Sequence, residues 1–390
     1  MSKAKLATPP APANVSPSMP ETPAENAAAN AAKNANANAA PNAPTDRERA
    51  SGAFFAPLRG HLRLLDEFLA AQTGEFEPAV RELVAETFAH AGKRLRPALV
   101  FYAGWTDGEP SPALVRAAAI VELVHLATLV HDDILDGALV RHNSPTVAAR
   151  HGAHSAVLLG DALFAQALVL ASQFPTTDVC RLVSAATRQV VSGEICQTFA
   201  RGDARLPLEK YFRIIRLKTA ELFEISCRLG AALGDTATGG AGSTAGAAAG
   251  DYASPYADAC ALFGRHLGTG YQIFDDVADL AGDEAGIGKT LGTDFESGKF
   301  TLPALLYLRQ LEPGAAAAFA ARMEQRLVAP AELADLMTAA GIPAECARAF
   351  RAEIDAADAA LAPFADRVSF ARLHGLCDYV RASFDALAVA

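Results

Sequence analysis

Apolar residues recur along most of this chain at three- and four-residue steps. Leu58, Leu62, Leu65 and Phe68 open the pattern, with the spacing of one helix face. It continues through 113–135, 155–174, 180–199, 208–232, 256–281 and 300–311. Strand-like alternation and Asn-Gly hairpin signals are essentially absent. The expected fold class is therefore all-α, without a repeat of fixed period. Two stretches break the pattern. Residues 1 to about 45 are almost entirely Ala, Asn, Pro, Thr and Glu, and such a segment buries too little apolar surface to offset chain entropy. We expect residues 1–50 to be a disordered extension and residues 51–390 to be one folded domain. Gly234 to Gly250, GDTATGGAGSTAGAAAG, reads as a flexible insertion between two helices of that domain.

With 390 residues, 51% of them hydrophobic, the chain can build a large core. Its net charge of −10 argues against a nucleic-acid partner, which would call for a basic face. Anionic substrates stay open if carboxylates hold metal ions and a few cations line the site. Cys180, Cys196, Cys227, Cys260, Cys346 and Cys377 form no CxxC pair and have no His cluster beside them. They read as reduced buried thiols of a cytoplasmic protein, not as a zinc site or disulfide framework. No apolar segment near Met1 marks a signal peptide. The longest apolar stretch, Ser155 to Phe174, contains Asp161 and Gln166 and is expected to be a buried helix, not a membrane span.

Two acidic clusters carry the chemistry. An apolar helical run from Glu122 ends at His131, Asp132, Asp133 and Asp136. On a helix, positions i, i+1 and i+4 put three carboxylates on one narrow face. Like charges so close resist ionisation, and divalent cations would offset the repulsion. Asp275, Asp276 and Asp279 repeat the spacing at the end of a second apolar run. Mg²⁺ takes oxygen ligands and leaves part of its shell to substrate phosphates, so two facing triads suit a diphosphate bridged by Mg²⁺. A lone DDxxD is more often a solvated acidic helix end; two copies make that reading weak.

Cations complete the pattern. Lys93, Arg94 and Arg96 lie in GKRLRP, Arg141 follows the first triad by five residues, Lys218 sits in RLKTAELF, and Lys289 and Lys299 follow the second triad. Arg offers a planar fork for phosphate and Lys a compact charge. Gly288-Lys289-Thr290 lacks the upstream glycine of a P-loop. His125 is two helical turns before Asp132, on the same face, where a core histidine is the bland alternative.

These residues resemble the trans-isoprenyl diphosphate synthases, or polyprenyl synthetases, over roughly residues 55 to 385. The resemblance rests on GKRLRP, the first DDxxD with RxxxPT after it, Gly160-Asp161, the Gly193-Glu194 motif ending at Gln197, Lys218-Thr219-Ala220, GYQIFDDVAD and GK…GTDFESGK…TLP. It implies an all-α single-domain bundle around a deep cavity, usually a homodimer. It implies that Asp132, Asp133, Asp136, Asp275, Asp276 and Asp279 bind Mg²⁺, three ions per site with substrate bound. Arg141, Lys218 and Lys289 would contact the allylic diphosphate, with Lys299 nearby, and Lys93, Arg96 and His125 would hold isopentenyl diphosphate. Thr219 joins the substrate-binding set, and Gln197 and Gln272 would line the cavity. The family commonly has a second Arg after Arg141; here it is His142, whose charge depends on pH. Tyr271 stands where Phe is common.

The implied reaction is Mg²⁺-dependent, head-to-tail trans condensation of isopentenyl diphosphate with an allylic diphosphate. In this family a bulky aromatic four or five residues before the first Asp stops chain growth early. Here those positions are Thr128 and Ala127, with Val124 deeper and Leu129 beside them, so the expected product is medium to long. Alternatives are a short-chain synthase (farnesyl or geranylgeranyl), a class I terpene cyclase, or a regulatory subunit of a heteromeric synthase. The apolar product implies transient contact with membranes at most.

Overall fold

The computed structural model describes residues 46–90, 92–105, 108–141, 144–238, 254–281, 297–325 and 327–387. Everything below belongs to the unit Asp46–Ala390, one of the two into which contacts divide the chain. The stretch 1–45, His142, Lys289 and residues 239–253 lie outside the described residues.

The fold is all-α, as the periodicity predicts. Its helices are α1 Asp46–Phe55, α2 Arg59–Gln72, α3 Arg81–Ala89, α4 Leu95–Ala103, α5 Pro112–Leu135, α6 Val147–Ser172, α7 Asp178–Phe199, α8 Leu208–Ile215, α9 Glu221–Thr238, α10 Pro255–Ala281, α11 Leu302–Gln310, α12 Pro313–Glu324, α13 Pro330–Ala339, α14 Ile342–Leu361 and α15 Val368–Leu387. A two-residue antiparallel ladder, Val140–Arg141 with Ser144–Pro145, is the sheet structure of the described residues.

α5 is the central helix. It is apolar all round, and Leu114, Ile120, Leu123, Val124 and Ala127 are all buried, as an interior helix requires. Ser111 caps its start, with Oγ accepting from the Leu114 N–H at 3.3 Å, and Pro112 occupies the first turn. Its end is set by Gly137 in the left-handed region at φ 64°, a conformation glycine adopts without a Cβ clash. α6 and α9 pack on α5, α10 on α9, and α14 on α10, while α4 crosses α9.

Three expectations need correction. The first helix starts at Asp46, inside the stretch assigned to the extension; Asp46 to Gly52 carry no apolar period from which a helix could be read. The glycine-rich insertion starts later than Gly234, because α9 runs on to Thr238. Gly234 is a packing glycine: a Cβ there would lie 2.6 Å from the Cα of Gly104, and sequence alone does not separate such a residue from a linker glycine. Finally, α6 is not a buried helix. Val157, Leu158, Leu168 and Val169 face outward, with Leu158 63% exposed. α5 and α6 are both long and apolar enough to cross a membrane by length and composition, but only α5 is mostly buried.

Candidate active site

The first triad ends α5. Asp132 and Asp133 sit in its last turn and Asp136 is its C-cap, donating its backbone N–H to the Asp132 carbonyl at 2.8 Å. Carboxylates at a helix C-terminus meet the negative end of the dipole as well as each other. The chain offsets this by giving each carboxylate a cation. Lys218 Nζ lies 3.5 Å from Asp132 Oδ2. Arg141 Nε donates to Asp133 Oδ1 at 2.8 Å. Asp136 accepts from Arg201 Nη2 at 2.6 Å and from Lys299 Nζ at 2.9 Å.

The carboxylates respond differently. Burial pushes Asp132 up to about 6, with Glu194 and Asp136 adding to it and Lys218 and Arg141 opposing. For Asp136, burial also pushes upward, but Lys299, Lys218 and Arg201 outweigh it and its pKa falls below the ordinary range. Lys218 is buried too, yet Asp132 and Glu194 hold its pKa above the usual lysine value. Its ammonium is shared: it pairs with Glu194 and donates to Gln197 Oε1 at 2.7 Å. Glu194 holds the closer share, which adds to the burial that keeps Asp132 high despite a cationic neighbour.

Lys218 and Thr219 belong to a π-helical turn, Arg216–Ala220, between α8 and α9. Such turns insert one residue into a helix and cluster at functional sites. Here Lys218 reaches the first triad, while Thr219 Oγ1 donates to Gln272 Oε1 at 2.7 Å. Gln272 Nε2 in turn donates to Asp276 Oδ1 at 2.8 Å. Adjacent residues of one turn thus serve opposite triads. Gly193 lets α7 approach this turn: a Cβ there would sit 2.5 Å from the Lys218 backbone nitrogen. Gly160 does the same for His131, whose ring would be 2.1 Å from a Cβ.

The second triad lies in the last turns of α10. Asp276 and Asp279 are buried and Asp275 is half-buried. Asp276 Oδ2 accepts from the Tyr211 hydroxyl at 2.5 Å. Gln197, Arg201, Tyr211, Gln272, Asp276 and Lys299 line a common cleft, so the partners of both triads face one space.

Arg96 and His125 form a pair, with Arg96 Nη1 and His125 Nε2 3.0 Å apart. Arg96 stacks over Phe223 at 5.0 Å, and its buried Nε has no partner among the described residues. Burial lowers its pKa, opposed by Glu122 and Tyr271. Lys93 stands against α15, donating to the Tyr379 hydroxyl at 2.9 Å. Arg94 takes a structural part: at φ 53° it opens α4 and ties Glu122, Asp66 and the Phe88 carbonyl together. One turn below the first triad Thr128 and Leu129 are half-buried, while Val124 and Ala127 are fully buried.

Sequence reasoning missed Arg201 and Tyr211 and gave Glu194 no role. Glu194 lies inside a motif that had been singled out; Arg201 and Tyr211 carry no spacing signal. Among the described residues no three carboxylates, histidines or cysteines converge on a point that could hold a metal ion. Each triad instead offers hard oxygen donors without an all-protein cage. That donor set fits Mg²⁺, which takes one or two carboxylates and completes its shell with water and substrate phosphates.

Comparison with known proteins gives the chain prenyl-synthase relatives. A prenyl transferase of Synechocystis sp. is 34% identical over 261 residues, 66% of this chain and 76% of the relative. The octaprenyl diphosphate synthase of Haemophilus influenzae is 30% identical over 264 residues, 68% of this chain and 75% of the relative. A polyprenyl synthase from Caulobacter crescentus, solved with calcium and isoprenyl diphosphate, has a TM-score of 0.72 at 28% identity, covering 88% of this chain and 99% of its own. Residues 77–339 match the sequence profile described as Polyprenyl synthetase, and the chain belongs to that family.

Proposed function

We propose that this enzyme is a trans-polyprenyl diphosphate synthase. It joins isopentenyl diphosphate head-to-tail to an allylic diphosphate and makes a medium-to-long-chain polyprenyl diphosphate. One observation carries the reading: two carboxylate triads at helix C-termini, each held by cations or hydrogen-bond donors that face one cleft.

In this reading Asp132, Asp133, Asp136, Asp275, Asp276 and Asp279 hold Mg²⁺, three ions when substrate is bound. The solved Caulobacter relative, which carries calcium with isoprenyl diphosphate, supports a divalent cation here. Bound Mg²⁺ supplies Lewis-acid neutralisation of the diphosphate. Lys218, Arg141, Lys289 and Lys299 orient that diphosphate and stabilise its growing charge as the allylic C–O bond breaks. Removing one preorganised partner of this kind costs roughly 10²–10³ in rate. Thr219 and Gln272 keep Asp276 in register with the π turn. Lys93, Arg96 and His125 hold isopentenyl diphosphate, and the unpartnered Nε–H of Arg96 gives that anion a donor. His142, where the family commonly has a second Arg, joins the substrate-binding set. The product grows past Thr128 toward Ala127 and Val124.

The enzyme works as a homodimer in the cytoplasm. The outward face of α6 with Val191, Ile195 and Phe199 of α7 supports the dimer, since burying each such side chain on a partner adds on the order of 1 kcal/mol. All six cysteines are free thiols, which suits a reducing compartment.

Purified protein with farnesyl diphosphate, labelled isopentenyl diphosphate and Mg²⁺ should give a ladder of products ending at a defined long chain. Thr128→Phe should shorten that ladder. Stopping after one addition would sink the long-chain reading, and no incorporation with any allylic primer would sink the elongation reading in favour of a cyclase or a partner-dependent subunit.

A further inference from the structure

Asp136 is held by two cations at once. Arg201 Nη2 donates to its Oδ1 at 2.6 Å, and Lys299 Nζ to its Oδ2 at 2.9 Å. Arg201 Nη1 also donates to the Leu135 carbonyl at 3.3 Å. The two cations come from segments distant in sequence, the loop after α7 and the loop before α11. A hydrogen bond from the Gly202 N–H to the Gly298 carbonyl, 3.0 Å long, straps those loops together. A divalent cation arriving at either oxygen of Asp136 would therefore meet a guanidinium and an ammonium already in contact with it, and like charges at that range repel strongly.

The third feature is the unused edge of Arg201. Its Nε–H is buried and has no hydrogen-bond partner among the described residues. A buried donor without an acceptor is unfavourable, and the guanidinium fork matches phosphate oxygens. The missing acceptor is what a diphosphate in the neighbouring cleft supplies, and Arg201 lines that cleft.

We propose that Arg201 is a placeholder cation for the first triad, a binding residue that the family motifs do not mark. In the substrate-free enzyme it neutralises Asp136. When metal and diphosphate enter together it yields that carboxylate and turns its fork onto the diphosphate. The inference rests on the reading of the triads as metal ligands given above. Its two halves pull in opposite directions. Arg201 disfavours metal alone and favours diphosphate in the presence of metal, whereas a side chain that only propped the loop would affect both in the same sense.

Mn²⁺ binding to the purified full-length protein, read by electron paramagnetic resonance with and without inorganic pyrophosphate, separates these cases. Arg201→Gln should bind Mn²⁺ alone about tenfold more tightly than wild type, and pyrophosphate with Mn²⁺ about tenfold more weakly, the lower end expected for a charged hydrogen bond. Arg201→Lys keeps the charge and loses the fork, so it should bind Mn²⁺ like wild type yet hold pyrophosphate less tightly; it carries the test if the glutamine variant misfolds. Equal Mn²⁺ affinity in wild type and Arg201→Gln overturns the proposal, as does unchanged pyrophosphate affinity in both variants. If Asp136→Asn leaves Mn²⁺ binding unaltered, the metal role of the triad fails and this inference falls with it.

Discussion

Asp132 is a site residue whose chemistry is exposed to pH. Its pKa in the folded chain is pushed up to about 6, against an ordinary value of 3.8, mainly by burial. Between those two values the folded protein keeps a proton that the unfolded chain has released, so stability falls as pH rises through that window. The penalty is absent below the unfolded value and complete above about pH 6, where it amounts to at most about 3 kcal/mol. Asp132→Asn should remove it. In metal-free buffer the variant should match wild type near pH 4 and exceed it progressively toward pH 6.5 in urea unfolding. A gap that stays constant across this range would contradict the assignment. Asp136 behaves oppositely: its depressed pKa gives stability that is present above the unfolded value and lost only as pH falls through the folded one. Neighbouring carboxylates of one motif therefore titrate on different sides of the ordinary range, because burial dominates at Asp132 while Lys299, Lys218 and Arg201 outweigh it at Asp136.

At the scale of elements, most of the fold was legible because helices announce themselves by period. α5 was readable from its apolar run and its acidic end. Both triads were readable from spacing, and Lys218, Thr219 and Gln272 from their motifs. What was not legible depends on contacts between distant segments. Nothing local tells that Tyr211, 65 residues before Asp276, donates to it, or that Arg201 reaches back across a similar distance to Asp136. Gly193 stood in a readable motif, but its reason lies in the backbone of another element. With only 2.5 Å available between a Cβ and the Lys218 nitrogen, Gly193→Ala must push α7 off the π turn. We expect kcat to fall by about 10²-fold, in line with misplacement of a catalytic group by about 1 Å. The helical content should be kept, as checked by steady-state kinetics beside circular dichroism. Wild-type kcat in that variant would mean the close approach is incidental.

At the scale of the molecule, the outward side chains of α6 and α7 set the next test. Phe199 is 86% exposed, and Ile195 and Val191 lie on the same stripe one and two turns earlier. Wild type should sediment as a dimer, and Leu158→Glu with Leu168→Glu should yield folded monomer, because each charge would otherwise be buried unpaired. A monomeric wild type would remove the dimer from the proposed function. The π turn has a different kind of consequence, one about inheritance and redesign. Deleting any one residue of Arg216–Ala220 would let α8 and α9 fuse into a regular helix, which is the more comfortable backbone. The fusion would also rotate everything before it by about 100°, carrying Tyr211 away from Asp276. A lineage or a designer selecting for folding alone would drop that residue. Shortening the chain there for stability would leave the helices intact and erase the register that brings Tyr211 to Asp276.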